Sequence, residues 1–350
     1  MQWAKTQRQA RFNLASSGVM FYPLKDLGAT LDDIEINGPS NYGYEPLQKA
    51  LAEKCAVPME CVAAATGTSM ANHLAMAAML DPGDEVLIEH PTYDPLLAVA
   101  RYLRADIKRF SRSFENAFAI DLDEIRQQVT RKTRLIVITS LHNPSGVLAP
   151  AQTLKEIGYI AQKVGAKVLV DEVYLECLYL ESGTPASAFH LGDEFITTNS
   201  LTKAYGLNGL RCGWVLAEAE LIKKIWHLND LFGVIPAHPA ERLSVIALQN
   251  ISQIADRANN LLKANRTILN QFFDRHSDKL EVIRPDYGTI AFPRLKKGNS
   301  DEFCNTLLNK FETSVVPGRF FEMPEHFRIG IGGATDTLIA GLQRISEALT

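Results

Sequence analysis

Apolar positions along the chain follow two alternating rhythms. Short apolar runs predict buried strands at Glu85–Glu89, Ala105–Phe110, Arg134–Thr139, Lys167–Val170 and Phe195–Thr198. Between and before them, apolar residues recur three and four positions apart, the spacing of one helix face. This spacing predicts helices over Pro46–Cys55, Pro95–Leu103, Leu122–Thr130 and Ala151–Val164, and an Ala/Met-rich buried helix over Ser69–Leu80. Strands alternating with helices of about 10–15 residues predict an α/β fold: a three-layer α/β/α domain around a mostly parallel sheet. Such sheets place ligands at the carboxyl ends of their strands.

The pattern changes at both ends. Residues 1–40 are loop-rich, with Gly18, Pro23, Gly28, Gly38 and Pro39, while Ala240–Phe273 reads as a long helical region broken once. A shorter α+β stretch then runs to Thr350. The expected organisation is a large α/β domain over 31–235 and a smaller α+β domain formed by 1–30 with 236–350.

Composition narrows the function classes. The chain has 350 residues, 46% hydrophobic and 22% charged, with net charge −4, which is ample for a large core. Charge is mixed and no basic block occurs, so no nucleic-acid partner is expected. No apolar run approaches the roughly 18–20 residues of a membrane span, and Met1-Gln-Trp-Ala-Lys-Thr-Gln-Arg8 lacks the apolar core of a secretory signal. The five cysteines are odd in number and form no CxxC pair. Neither a disulfide framework nor a zinc site is expected, and a cytoplasmic location is the natural reading.

Candidate chemistry gathers where the predicted strands end. Ser200-Leu-Thr-Lys203 follows one strand, with Gly206 and Gly209 beyond it. A lysine so placed suits an amine that forms a Schiff base with an aldehyde cofactor. Asp171-Glu-Val-Tyr174 follows another strand; its carboxylate could hold a protonated ring nitrogen or could cap a helix. Asn143-Pro-Ser-Gly146 has the composition of a plain turn. Thr66-Gly67-Thr68-Ser69 opens a helix, where backbone N–H groups and hydroxyls bind phosphate or merely cap. Arg211 suits a phosphate or a strand start. Neither GxxxxGK[ST] nor GxGxxG occurs, which disfavours a nucleotide P-loop and a nicotinamide dehydrogenase.

Taken together, Asn143-Pro-Ser-Gly146, Asp171-Glu-Val-Tyr174, Ser200-Leu-Thr-Lys203 and Arg211 resemble the class I/II aminotransferases, enzymes of the fold type I pyridoxal-phosphate (PLP) class. Order and spacing match: Asp171 lies 28 residues after Asn143, and Tyr174 three after Asp171. The resemblance implies that Lys203 carries PLP as a Schiff base and moves a proton. It implies that Asp171 pairs with the pyridinium nitrogen, and that Tyr174 and Asn143 contact the ring's 3-oxygen. Gly67, Thr68, Ser69, Ser200 and Arg211 would hold the phosphate, and Tyr93 would stack on the ring. Tyr42 would reach the neighbouring subunit's phosphate in a homodimer with shared sites. Arg328, with Asn143, would clamp the substrate's α-carboxylate, and Gly18 would lie in a segment that closes over substrate.

Three positions depart from the family's usual pattern: Leu141-His142 replaces an Asn-Pro, Asn208 a common proline, and Tyr93 the tryptophan of some members. The expected reaction moves an amino group between an L-amino acid and a 2-oxo acid. A lyase, decarboxylase or cyclising synthase using the same cofactor is the first alternative. A non-catalytic PLP-binding regulatory domain is a remote one, since no basic helix-turn-helix precedes the fold.

Overall fold

A computed structural model describes residues 10–39, 41–179 and 186–350. The reading of Met1–Arg8 concerns residues outside these ranges. The central sheet has seven strands: β1 (Val62–Thr66), β2 (Glu85–His90), β3 (Asp106–Ser111), β4 (Thr133–Thr139), β5 (Lys167–Asp171), β6 (Phe195–Ser200) and β7 (Cys212–Leu216). Their spatial order is β1-β7-β6-β5-β4-β2-β3. From β6 to β3 every pairing is parallel, whereas β7 runs antiparallel to both its neighbours.

Helices cover both faces, which is why the strands read as continuous apolar runs rather than alternating ones. The α-helices of the described residues are α1 (Glu45–Cys55), α2 (Thr68–Met79), α3 (Asp94–Tyr102), α4 (Leu122–Gln128), α5 (Ala151–Val164), α6 (Ala219–Asn229), α7 (His238–Gln249), α8 (Ile251–Arg275), α9 (Ser300–Phe311) and α10 (Thr335–Leu349), the last two packed on each other rather than on this sheet. Strand β4 shows the layering. Leu135 and Val137 join the core that contains Leu74 and Ala75 of α2. Ile136 and Ile138 join the opposite core, with Ile125 of α4 and Leu154 and Ile157 of α5. The period of two in a strand sends neighbours to opposite faces.

The long helical region breaks once, as its pattern predicts: Asn250 ends α7, and α8 starts at Ile251. Three elements of the α/β region 31–235 went unpredicted. Strand β1 reads Val-Ala-Ala-Ala-Thr, and alanine carries little strand signal. Strand β7 contains Cys212 and Gly213, and α6 lies in a stretch to which no helix was assigned.

Beyond α8, short strands pair locally. Phe327–Gly330 lies antiparallel to both Ile290–Ala291 and Val316–Pro317. The N-terminal segment is tied to this region and to the main sheet's edge together. Phe12–Asn13 pairs parallel with Thr313–Ser314, Gly330 N–H donates to the Leu14 carbonyl (2.7 Å), and Val19 N–H donates to the Lys203 carbonyl (2.9 Å).

Candidate active site

The carboxyl ends of the parallel strands gather the predicted residues. Asp171 is the last residue of β5 and Ser200 the last of β6. Tyr93 follows β2, Asn143 follows β4, and Gly67 links β1 to α2. Arg211 precedes β7, whose reversed direction brings its amino end to this same edge. Together they line a cleft of about 520 Å³, its open mouth included, walled by Thr68, Ser69, Tyr93, Asn143, Asp171, Tyr174, Ser200, Lys203 and Arg211.

At the centre, Lys203 Nζ donates to Ser17 Oγ (3.0 Å), and the Tyr174 hydroxyl donates to the same oxygen (2.8 Å). Gly18 lies against this lysine: a Cβ there would stand 3.3 Å from Lys203 Cδ. Asp171 accepts from Asn72 Nδ2 (2.8 Å) and from the Val173 N–H (3.0 Å), and Asn72 in turn accepts from Thr198 (2.6 Å). Burial pushes the Asp171 carboxyl up to about 6, with those donors and Lys203 acting against it. Burial also raises Tyr174 to about 12, so its phenol stays protonated and donates.

The α2 end of the cleft is built for an anion. Gly67 has φ +78°, and a Cβ there would meet Arg211 Nη2 at 2.3 Å. A Cβ on Gly213 would come within 2.4 Å of the Gly67 backbone. Two glycines thus let the loop, the guanidinium and β7 approach one another. Thr68 Oγ1, at the first helical position, is buried without a partner among the described residues. A hydroxyl left unpaired beside a helix N-terminus and an arginine fits a phosphate group.

Opposite, Arg328 on the strand Phe327–Gly330 donates to Asn143 Oδ1 (2.9 Å) and to the Ala15 carbonyl (3.2 Å). Its Nε has no partner among the described residues. Asn143 N–H donates to Thr139 Oγ1 (3.1 Å), which donates to Glu89 (2.5 Å); Glu89 pairs with Arg112 at 2.9 Å. A buried chain of hydrogen bonds therefore stands behind Asn143.

Tyr42 lies apart from this cleft. It is about half exposed, and its hydroxyl donates to Asp230 (2.7 Å). Three residues at the site went unread in the sequence. Asn72 is a buried polar residue within an otherwise Ala/Met-rich helix, and that contrast could have found it. Thr139, a strand residue, and Ser17, whose partner lies 186 positions away, gave no local signal.

The family model for aminotransferase class I and II matches residues 29–345. The chain belongs to the class I and II aminotransferases. The chain is 29% identical to capreomycidine synthase of Streptomyces vinaceus, over 97% of this chain and 90% of that protein. It is 28% identical to a probable aspartate/prephenate aminotransferase of Aquifex aeolicus, over 88% and 82%. A solved PLP-dependent aminotransferase from Streptococcus suis superposes with TM-score 0.93 at 28% identity, covering 99% and 96%. As a member of this family the chain is an enzyme with pyridoxal phosphate as its cofactor. The residues present fit that group. Asp171 is a buried acid facing the cleft that a cationic ring nitrogen would neutralise, and Thr68 offers an unused hydroxyl, with the Arg211 guanidinium lining the same cleft, for a phosphate.

Proposed function

We propose that this aminotransferase moves an amino group between an L-amino acid and a 2-oxo acid with Lys203 as cofactor anchor and proton carrier. The observation that carries the reading is the meeting of an amine and a buried acid at one cleft, with a buried arginine bonded to the lining residue Asn143. Bound there, pyridoxal phosphate supplies an electron sink for negative charge developing at the substrate's Cα. Asp171 keeps the ring nitrogen protonated, and Asn72 fixes that carboxylate. Tyr174 and Asn143 serve the 3-oxygen, and Tyr93 packs against the ring. Gly67, Thr68, Ser69, Ser200 and Arg211 hold the phosphate. Arg328 and Asn143 grip the α-carboxylate, with Gly18 beside Lys203, and so select the bond at Cα that breaks. The Lys203 amine takes the proton from Cα and redelivers it.

The assembly belongs to the same reading. Exposed Phe21, Leu31, Ile36, Leu231 and Val234 support burial in a homodimer, and half-exposed Tyr42 supports a phosphate contact across it. The small lobe would be residues 1–30 with 236–350; pairing of Phe12–Asn13 with Thr313–Ser314 supports the union. Five unpaired cysteines support a reducing, cytoplasmic setting. Among the described residues no helix is long and apolar enough to cross a membrane.

One observation favours a second reading: the relative named a synthase matches over 97% of this chain. The same residues could direct a different Cα or side-chain bond to break. The test is a set of half-reactions. The cofactor-loaded protein is mixed with single amino acids, and cofactor absorbance and products are followed. Amino transfer yields a 2-oxo acid and an absorbance change that an added 2-oxo acid reverses. Continuous turnover of the amino acid without any 2-oxo acid acceptor, with release of ammonia or carbon dioxide or with a cyclised product, gives the site to the second reading.

A further inference from the structure

Ser17 stands where two donors from different strand ends converge. Its Oγ accepts from Lys203 Nζ at 3.0 Å and from the Tyr174 hydroxyl at 2.8 Å, and the residue is buried. Its backbone is fixed from both sides. The Ser17 carbonyl accepts from Thr289 Oγ1 (2.8 Å), Val19 N–H donates to the Lys203 carbonyl (2.9 Å), and Met20 N–H donates to the Gly332 carbonyl (2.7 Å). The Ser16 carbonyl occupies the space a Cβ on Gly330 would need, so the segment packs directly on that strand's backbone.

A lysine that carries a proton alternates between ammonium and amine. The ammonium offers three donors and no acceptor; the amine offers a lone pair. A hydroxyl can serve both states, because it accepts from the first and donates to the second. Tyr174, kept protonated by burial, has one proton to donate: to Ser17 as the structure stands, or to the cofactor's 3-oxygen, which would leave Ser17 to Lys203.

We propose that Ser17 is the positioning residue for the Lys203 amine, holding it beside Tyr174 whenever it is not covalently engaged and in both of its protonation states. The proposal rests on the reading of Lys203 as cofactor anchor and proton carrier.

Cofactor-loaded wild type, Ser17→Ala and Ser17→Thr are compared. Four quantities are measured: the rate at which a Cα-deuterated amino acid loses its label, KM, the pH midpoint of that rate, and thermal stability. Ser17→Ala should lose the label about 10- to 100-fold more slowly, the scale of a misplaced reacting group, with KM changed by less than about twofold. The pH midpoint of that rate should fall by about half a pH unit or more, because an oxygen that accepts from the protonated free amine is gone. Ser17→Thr keeps the hydroxyl and should recover at least about a third of the lost rate. Wild-type rate in Ser17→Ala, or an unmoved pH midpoint of that rate, overturns the proposal. Equal losses in both variants with matching drops in thermal stability also overturn it and leave Ser17 a structural role. A wild type whose cofactor absorbance shows no linkage to Lys203 defeats the cofactor reading itself, a separate failure.

Discussion

Arg112 and Arg328 are both buried, and one chain of hydrogen bonds runs between them, yet their surroundings differ in kind. Arg112 meets the Glu89 carboxylate at 2.9 Å and the Phe118 carbonyl at 2.7 Å. One of its terminal nitrogens lacks a partner among the described residues, but its charge is neutralised inside the fold. Arg328 donates to two neutral oxygens, packs over the Phe321 ring at 5.1 Å, and keeps an unused Nε beside the cleft residue Asn143. Taking an ion out of water costs several kcal/mol unless it is paired. For Arg112 the fold supplies the counter-ion; for Arg328, beside the cleft residue Asn143, a carboxylate ligand would supply it. The neighbours Asp171 and Glu172 repeat the contrast. Asp171 faces the cleft, whereas Glu172 turns away to accept from Ser187 (2.7 Å) and the Ala188 N–H (2.7 Å).

The largest effect should come from breaking the supplied pair. Glu89→Ala strands the Arg112 charge and should cost about 3–5 kcal/mol of folding stability, read from urea unfolding. Next, burial raises Glu172 from 4.5 to about 7. The folded state therefore holds more protons than the unfolded one between those values, and this group makes stability fall as pH rises through that window. Glu172→Gln should remove that fall, worth on the order of 3 kcal/mol between pH 4.5 and 7.5. His326, lowered to about 4 by burial, acts oppositely between pH 4 and 6.5, so the comparison is variant against wild type at each pH. Arg328 should show the reverse pattern to Glu89. Arg328→Met should change folding stability by less than about 1 kcal/mol, because an apolar side chain of similar volume replaces an unpaired buried charge. Its KM for the amino acid should rise about 100-fold, the loss of a charged bidentate contact. Equal stability losses in Glu89→Ala and Arg328→Met would erase the distinction between the two arginines.

Much of this site is legible in the sequence, because strand ends are. Lys203, Asp171 and Asn143 each follow an apolar run whose length and flanks announce a buried strand, and parallel sheets gather such ends. The antiparallel β7 escaped because Cys212 and Gly213 weaken its pattern. Gly213 is required there by the Gly67 backbone, a constraint between segments nearly 150 positions apart. Strand β1 escaped because three alanines say little about strand or helix. Ser17 escaped for a different reason: it acts on Lys203, a partner that only the folded chain brings near. Local pattern identifies the groups that do chemistry more readily than the groups that aim them.

The central claim is that Lys203 carries the cofactor as a Schiff base. Borohydride reduction of the cofactor-loaded protein, followed by digestion and mass mapping, tests it most directly. The expected result is one reduced cofactor per chain, on the peptide that contains Lys203, and no labelling in Lys203→Ala. Label on another lysine, or undiminished labelling of Lys203→Ala, would contradict it.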